Sequence, residues 1–266
     1  MFDRYDRKID YLRVSVTDRC NLRCVYCMPE EGVVSLRHSD ILSYEEILQV
    51  VNVAASLGVN KIRITGGEPL VRKNVVGLIR EISKLDTIQD LSMTSNGILM
   101  EEYADQLREA GLHRVNISLD TLDPERYRKL TRGGDLGRVL RGITAALNAG
   151  LTPVKINCVT ERSSDEPDAR SVMEFCREKG LPVRFIRRMN LATGDFGVVE
   201  GGEGGKCSQC NRLRLTANGK VRPCLFSDLE YDVRELGPET ALKMAVSWKP
   251  ASGTVSLSGR FYTTGG

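Results

Sequence analysis

Residues 11–27 have the sequence YLRVSVTDRCNLRCVYC, in which a β-branched run leads directly into three cysteines. The run is typical of a buried β-strand, so Cys20, Cys24 and Cys27 come just after its carboxyl end. Their C-x3-C-x2-C spacing lets three thiolates converge on one inorganic cluster. An iron–sulfur cube normally takes four cysteine thiolates, so three of them predict a [4Fe-4S] cluster with one open iron. Catalytic metal sites keep an open position, which predicts chemistry at that iron.

From this first strand to about residue 187, short β-branched runs alternate with helical patterns, as expected for β/α units around a parallel sheet. One helix begins at Ser43 with Glu46 three residues on, a capping box, and ends at Gly58. Further helices are predicted over residues 101–110 and 136–149. Strands are predicted over residues 11–16, 61–65, 90–94, 114–119, 154–159 and 183–186. This order predicts an α/β fold, a partial (β/α)6 TIM-like barrel with ligands at the carboxyl ends of its strands.

Composition divides the chain into three parts. Residues 1–192 form the predicted barrel, residues 193–206 a glycine-rich connector, and residues 207–266 a small C-terminal second-cluster and substrate-binding module. Within that module, Asn218-Gly219 predicts a hairpin turn between two short strands.

The C-terminal module contains a second cysteine group, in which Cys207 and Cys210 form C-x2-C and Cys224 follows in the hairpin region. A structural zinc site normally takes four Cys or His ligands. The only histidines, His38 and His113, lie in the predicted barrel. Three thiolates therefore favour a second [4Fe-4S] cluster with an open iron, and zinc is kept as the alternative.

The composition fits a large core, because 41% of the 266 residues are apolar. The formal net charge of +3 says little by itself about the function. The first residues show no apolar leader and no run could span a bilayer, so we expect a cytoplasmic protein without membrane contact. Six of the eight cysteines fall into the two groups, which favours metal binding in a reducing compartment over disulfides. We expect the other two, Cys158 and Cys176, to be buried structural thiols.

Polar residues follow three of the predicted strands. Strand two leads into Thr65-Gly66-Gly67-Glu68-Pro69, strand three into Thr94-Ser95-Asn96-Gly97, and strand four into Ser118-Leu119-Asp120. The glycines permit close backbone approach and Glu68 can hold an ammonium, although tight turns and helix caps would explain the same residues. Ligand binding is favoured because all three ends should face the same mouth as the first cysteine group.

The C-x3-C-x2-C spacing, the aromatic Tyr26 before Cys27 and the Gly66-Gly67-Glu68 run together resemble the radical S-adenosylmethionine superfamily. Within it, three stretches resemble the GTP 3′,8-cyclases of molybdenum-cofactor biosynthesis. They are LRVSVTDRC at residues 12–20, IRITGGEPL at residues 62–70 and CSQCNRLRL at residues 207–215. The resemblance runs from about residue 11 to residue 228.

This resemblance implies two [4Fe-4S] clusters and S-adenosyl-L-methionine as cofactors. In the superfamily, S-adenosylmethionine chelates the open iron of the first cluster, and one electron cleaves it to methionine and a 5′-deoxyadenosyl radical. The cofactors supply the difficult chemistry, and the protein positions them and excludes water. The resemblance implies that the residues in contact with S-adenosylmethionine are Tyr26, Gly66, Gly67, Glu68, Ser118 and Met189.

In the cyclases, the radical takes the C3′ hydrogen of GTP and the new carbon radical attacks C8 of guanine. The resemblance implies that the second cluster, on Cys207, Cys210 and Cys224, binds the purine. It also implies that a diglycine tail, here Gly265-Gly266, reaches into the active site and is needed for activity. The other implied substrate contacts are Arg13, Arg63, Thr94, Lys155, Arg212, Leu213 and Arg214. Guanidinium groups bind phosphate oxygens bidentately, so this set of residues suits a triphosphate. Surface salt bridges are the alternative, but Arg13 and Arg63 lie in otherwise apolar strands, where an unpaired charge is costly.

Three features depart from the cyclases. A short glycine-rich connector stands where they have several tens of further residues, Arg187-Arg188 replace an acidic and a large apolar residue, and residues 255–264 lack the usual apolar pattern. Two alternatives to GTP cyclisation therefore stay open. One is a shortened paralogue that uses the same radical chemistry on another nucleotide or a peptide, and the other is a non-catalytic two-cluster electron carrier.

The expected partners follow from the same resemblance. They are a small-molecule substrate, with GTP favoured, and an electron donor such as ferredoxin or flavodoxin, and a homodimer is allowed. No aromatic platform for bases is visible, so we expect no nucleic-acid partner.

Overall fold

The computed structural model describes residues 1–30 and 33–257, and these residues build one sheet of nine strands in the order β6-β5-β4-β3-β2-β1-β7-β8-β9. The strands are β1 (Tyr11–Ser15), β2 (Lys61–Thr65), β3 (Asp90–Ser95), β4 (Arg114–Ser118), β5 (Lys155–Thr160), β6 (Val183–Arg187), β7 (Arg212–Leu215), β8 (Lys220–Arg222) and β9 (Tyr231–Asp232). The first seven strands pair in parallel, and the last two pairings are antiparallel. All six predicted strands are confirmed, with each end shifted by at most one residue.

Helices connect the parallel strands, as the alternating sequence pattern predicts. Between β1 and β6 they are α1 (Tyr44–Ser56), α2 (Val75–Ser83), α3 (Met100–Glu109), α4 (Pro124–Thr131), α5 (Leu136–Asn148) and α6 (Pro167–Lys179). Two further helices, α7 (Val233–Leu236) and α8 (Pro238–Ser247), follow β9. The capping box of α1 is confirmed, because Glu46 N donates to Ser43 Oγ at 3.2 Å and Ser43 N donates to the Glu46 carboxylate at 2.7 Å. This is the predicted α/β partial barrel.

The two faces of the sheet differ because side chains alternate along a strand. Leu12 and Val14 of β1, with Ile62 and Ile64 of β2, are completely buried in the core that the helices share. Fully burying an aliphatic side chain of this size stabilises the fold by about 1.5–3 kcal/mol. The positions between them, such as Arg13, therefore face the other side of the sheet.

Strand β1 lies between β2 and β7 and is parallel to both. The register places Arg13 opposite Arg63 on one side and opposite Arg214 on the other. Three arginines thus lie side by side on the face opposite the helix-packed core.

The same pairing carries the sheet beyond the predicted barrel, since β7 adds directly to β1 and is followed by the antiparallel β8 and β9. The turn at Asn218-Gly219 joins β7 to β8 as predicted, and Gly219 has a φ of +84° that suits glycine. The domain boundaries at residues 192 and 206 stay predictions, but the sheet is continuous across them.

The glycine-rich connector folds back against the edge strand β6. Glu200 and Phe185 exchange two backbone hydrogen bonds of 3.1 Å, and Asn190 and Asp195 form a second such bridge. A Cβ on Gly201 would lie 2.5 Å from the Val183 carbonyl oxygen, so only glycine allows this approach. The connector thereby covers backbone groups that an open sheet edge would expose.

The two isolated cysteines, Cys158 and Cys176, are buried free thiols, which confirms their predicted structural character. Within residues 1–30 and 33–257, the helices are too short or too polar to cross a bilayer.

Candidate active site

The first cysteine group opens into a cavity of about 210 Å³ at the carboxyl ends of β1 to β6. The thiols of Cys20, Cys24 and Cys27 all line it. The predicted cofactor contacts that also line it are Tyr26, Gly66, Gly67, Ser118 and Met189. The polar strand ends therefore do face the mouth that holds the first three cysteines.

Backbone hydrogen bonds hold the cysteine loop in a tight turn. The amides of Cys27 and Met28 both donate to the Cys24 carbonyl, at 2.9 and 3.0 Å. The loop is docked on the end of α4, because Val25 N donates to the Leu130 carbonyl at 2.9 Å. The three thiols thus project from a backbone that is fixed on two sides.

The surroundings of these thiols disfavour an unbound thiolate and would favour a thiolate bound to iron. Burial, followed by neighbouring negative charges, raises the pKa of Cys24 to about 12 and that of Cys27 to about 11. A bound metal deprotonates a coordinating thiol outright, so iron would supply the missing positive charge. In the described part of the chain, no three His, Cys, Asp or Glu side chains are close enough together to hold a single metal ion. The thiolates that hold one iron–sulfur cube each bind a different iron, so a cluster does not require them to converge on one point.

The two glycines after β2 pack against the backbone that leads to Cys20. A Cβ on Gly67 would lie 2.3 Å from the Arg19 carbonyl oxygen, and one on Gly66 would lie 2.8 Å from that of Thr17. Gly67 N also donates to the Thr17 carbonyl at 2.8 Å. These glycines therefore fix the position of the cysteine loop, and their contact with S-adenosylmethionine stays a prediction.

Glu68 is completely buried behind the cavity wall. Its carboxylate accepts hydrogen bonds from Leu70 N at 3.1 Å, Ser95 Oγ at 3.0 Å and Asn96 N at 2.7 Å. The Asn96 side chain in turn donates to the Cys20 sulfur at 3.7 Å. Burial raises the pKa of Glu68 to about 7, although these hydrogen bonds oppose the shift. Glu68 thus links the ends of β2 and β3 to Cys20, and its predicted hold on an ammonium stays a prediction.

Tyr26 is anchored by a carboxylate at the end of β4. Its hydroxyl donates to Asp120 Oδ2 at 2.7 Å, and Val159 N donates to Asp120 Oδ1 at 2.8 Å. Burial raises the pKa of Asp120. Sequence reasoning placed Asp120 at this end of the barrel but did not foresee that it positions Tyr26.

A second cavity, of about 340 Å³, adjoins the first, because Asn157, Ile186 and Met189 line both. The second cysteine group, Cys207, Cys210 and Cys224, lines it together with the glycine-rich connector. The arginines that line it are Arg13, Arg63, Arg114, Arg184, Arg212 and Arg214. The structure therefore brings the two cysteine groups to two neighbouring cavities with a shared wall.

The second cavity is strongly cationic. Burial, and then the charge of Arg214, holds the pKa of Arg13 well below its usual range, and burial lowers the pKa of Arg214 to about 10. Lys61 and Arg114 form salt bridges with Asp10 at 3.1 Å and Asp90 at 2.5 Å. Cations crowded away from water are stabilised by an anion, so the cavity is complementary to a negatively charged ligand.

Cys210 of the second group lies within this positive field. Burial raises the pKa of Cys210, but the charges of Lys249 and Arg212 and hydrogen bonds to Arg212 outweigh it and bring the pKa to about 7. A thiol with a pKa lowered by cations is a ready metal ligand.

Three further predicted substrate contacts, Thr94, Leu213 and Lys155, do not line the second cavity. Thr94 lines the first cavity, Leu213 is buried in the core, and Lys155 lines neither cavity. Gly265 and Gly266 lie outside the described residues. Arg187 and Arg188 line the first cavity beside Met189, as their sequence positions indicate.

Sequence reasoning missed Arg184, which lies in β6 opposite Asn157 of β5. Both side chains line the second cavity. The signal was present, because Arg184 and Ile186 alternate with Phe185, which is buried. A strand of five residues is too short for this alternation alone to assign a face with certainty.

The sequence model of the radical SAM superfamily matches residues 14–176, which are more than half of the chain. The chain therefore belongs to the radical SAM superfamily and is an enzyme of that class, with a [4Fe-4S] cluster and S-adenosylmethionine as its cofactors. Within the superfamily, it belongs with the GTP 3′,8-cyclases. The relative with that name from Petrotoga mobilis is 44% identical over 280 residues, covering 88% of this chain and 87% of the relative. The one from Moorella thermoacetica is 44% identical over 305 residues and covers 94% of both.

Solved structures agree on the fold. Streptococcus suis SuiB bound to S-adenosylmethionine has a TM-score of 0.66 at 16% identity, covering 86% of this chain and 64% of SuiB. Methylornithine synthase (PylB) has a TM-score of 0.55 at 18% identity, covering 68% of this chain and 54% of PylB. This chain thus spans about half to two thirds of those proteins, and the likeness shows the fold alone.

We predict that Gly67→Ala displaces the segment before Cys20, because its Cβ would meet the Arg19 backbone. We expect a loss of about 1–3 kcal/mol in the free energy of unfolding, together with weaker S-adenosylmethionine binding. Denaturant titration and calorimetry measure the two effects. Gly137→Ala in the first turn of α5, where the nearest atom is 3.1 Å away, should leave both unchanged or slightly improved. A Gly67→Ala protein with wild-type stability and binding would refute the role given to this contact.

We predict that Glu68 makes stability depend on pH. The pKa of Glu68 is higher in the folded state than its usual value. Its contribution to the free energy of unfolding is therefore complete below about pH 4.3 and is lost as the pH rises to about 7. Glu68→Gln removes this titration. As the pH rises from about 4.3 to about 7, the free energy of unfolding of the variant should therefore improve relative to that of the wild type by on the order of 3 kcal/mol. Urea unfolding of the apoprotein at several pH values measures it, with Glu109→Gln on the exposed side of α3 as control. A constant difference between Glu68→Gln and wild type would contradict the assignment.

Proposed function

We propose that the chain is a GTP 3′,8-cyclase that converts GTP to (8S)-3′,8-cyclo-7,8-dihydroguanosine 5′-triphosphate for molybdenum-cofactor biosynthesis. The observation that carries the proposal is the shared wall between a three-cysteine cavity and a cationic cavity that contains three further cysteines. A hydrogen transfer between two bound molecules requires that their reacting atoms be held close together. Adjacent cavities supply that proximity.

In this proposal, the first cavity holds one cluster on Cys20, Cys24 and Cys27 with S-adenosylmethionine beside it. When bound, the pair supplies a 5′-deoxyadenosyl radical that abstracts a hydrogen from the substrate. Gly66, Gly67 and Glu68 would hold the methionine end of S-adenosylmethionine. The other proposed contacts are Tyr26, which Asp120 holds in place, Ser118 and Met189.

The second cavity would hold a second [4Fe-4S] cluster on Cys207, Cys210 and Cys224. The donor set supports this, because the three thiols line one cavity and the charges of Lys249 and Arg212 favour the thiolate of Cys210. A fourth Cys or His for a structural zinc site is not among the residues that line this cavity, which favours a cluster with an open iron. That iron would be available to the purine of the substrate.

The arginines of the second cavity would bind the triphosphate of GTP. Arg13, Arg63, Arg212 and Arg214 come from three neighbouring strands, and Arg184 adds a fifth guanidinium. Planar guanidinium groups bind phosphate oxygens with paired hydrogen bonds. We also keep Thr94, Lys155, Leu213 and the Gly265-Gly266 tail as proposed contributors to the substrate site.

A second candidate is a shortened paralogue that applies the same radical chemistry to another nucleotide or a peptide. Two observations favour considering it. Arg187 and Arg188 line the first cavity beside Met189, and the short connector forms part of the wall of the second. Under either function, the electron would come from a donor such as ferredoxin or flavodoxin, and a homodimer remains part of the proposal.

The proposed reaction is tested by anaerobic incubation of the reconstituted protein with dithionite, S-adenosylmethionine and GTP. We expect 5′-deoxyadenosine together with the cyclic product, both measured by mass spectrometry. Cys24→Ala should abolish 5′-deoxyadenosine, while Cys224→Ala should lose about half of the iron yet keep some uncoupled cleavage.

Cys176→Ser in α6 is the matched control, because this buried thiol lines neither cavity and should leave product formation intact. Formation of 5′-deoxyadenosine without a GTP-derived product would eliminate the cyclase and leave the paralogue. The same incubation with a nucleotide panel would then identify the alternative substrate.

We predict that Arg184→Ala weakens nucleotide binding by about 10- to 100-fold, which corresponds to the loss of one charge-assisted contact of about 1.5–3 kcal/mol. Arg184 is chosen because it lines the second cavity without bordering a cysteine of either group in sequence. Isothermal titration with GTP measures the effect. Arg80→Ala, an exposed arginine of α2, should bind GTP as wild type does. Equal affinities for the two variants would show that the phosphates do not contact Arg184.

A further inference from the structure

Lys249, just after α8, is one of the most deeply buried charged residues of the protein, with only 1% of its surface exposed. Its ammonium donates to the Arg212 carbonyl at 2.7 Å and to the Pro223 carbonyl at 2.5 Å. Arg212 lies two residues after Cys210, and Pro223 immediately precedes Cys224. One ammonium therefore joins the two chain segments that carry the second cysteine group.

A second buried cation fixes the position of Lys249. Arg7 donates to the carbonyls of Pro250 at 2.7 Å and Ala251 at 3.0 Å, and also to the Cys207 carbonyl at 2.8 Å. The N-terminal segment thus holds the residues after Lys249 against the first cysteine of the group. Lys249 cannot move away from the cysteines without breaking these contacts.

The two cations differ in how their charges are balanced. Arg7 forms a buried salt bridge with Asp3 at 2.7 Å. Among residues 1–30 and 33–257, no carboxylate forms a salt bridge with Lys249, whose carbonyl partners bear no net charge. A buried ammonium is costly unless an opposite charge lies close. The thiols of Cys210 and Cys224 are the groups near Lys249 that can supply that charge.

We propose that Lys249 is a positioning residue of the second cysteine group, and that its positive charge raises the reduction potential of the cluster held there. This inference rests on the proposed function, because the second cluster is part of it. Reduction adds negative charge to a cluster, so a fixed cation beside its thiolates stabilises the reduced form. Contacts around the ligands are known to tune metal sites in this manner.

The test isolates the second cluster by using Cys24→Ala as the parent protein, in which the first cluster lacks a ligand. Lys249→Met keeps the length of the side chain and removes the charge, and Lys249→Arg keeps the charge. Lys243→Met on α8 is the matched control, because Lys243 is exposed and pairs with Glu239. Iron content after anaerobic reconstitution and a redox titration followed by electron paramagnetic resonance are measured for each variant.

We expect a more negative midpoint potential in Lys249→Met, and the parent's potential in Lys249→Arg and Lys243→Met. Loss of the cluster in Lys249→Met alone, with iron retained in Lys249→Arg, also supports a requirement for the charge. The parent's potential in Lys249→Met, or loss of iron from both Lys249 variants, overturns the role of Lys249. If the wild-type protein reconstitutes with only about four irons, the proposed second cluster fails and this inference fails with it.

Discussion

The parallel pairing of β1 with β2 on one side and β7 on the other is the constraint on which the site depends. Because the register is fixed, Arg13 lies between Arg63 and Arg214 on one face, while Leu12 and Val14 are buried among the helices on the other. A shift of one residue would exchange these faces. The carboxyl end of the same strand leads into the first cysteine loop. One strand therefore positions both the radical chemistry and the cationic cavity.

Charge is the second constraint, and it opposes folding. The second cavity brings several guanidinium groups together away from water, and this burial lowers the pKa of Arg13 and Arg214. Such an arrangement is typical of functional sites, because residues arranged to bind a ligand reduce the stability of the fold without that ligand. A polyphosphate nucleotide and a cluster with thiolate ligands would each add negative charge beside these cations. The two proposed ligands of this cavity would thus stabilise the protein that binds them.

Much of this architecture follows from local sequence patterns. The six strands, the capping box of α1 and the hairpin at Gly219 depend on neighbouring residues, and each is confirmed. The features that sequence did not predict depend on contacts between distant segments. Lys249 contacts carbonyls 26 and 37 residues away, and Tyr26 bonds to Asp120 at a separation of 94 residues. No periodicity or spacing along the chain encodes such contacts.

Glu68 shows a related difference between motif and structure. Its place after two glycines predicted contact with a ligand, yet its carboxylate is occupied by donors from the β2 and β3 ends. The glycines likewise approach the backbone of the cysteine segment. Gly66 and Gly67 therefore form part of the cavity wall, and Glu68 supports that wall from its buried side.

In the proposed function, the two cavities hold S-adenosylmethionine and the nucleotide side by side, across the wall formed by Asn157, Ile186 and Met189. The most direct measurement uses GTP deuterated at C3′ and follows the label into 5′-deoxyadenosine by mass spectrometry. We expect 5′-deoxyadenosine to gain one deuterium in each turnover that consumes GTP. Unlabelled 5′-deoxyadenosine, formed while deuterated GTP is fully bound, would show that the nucleotide does not lie beside S-adenosylmethionine.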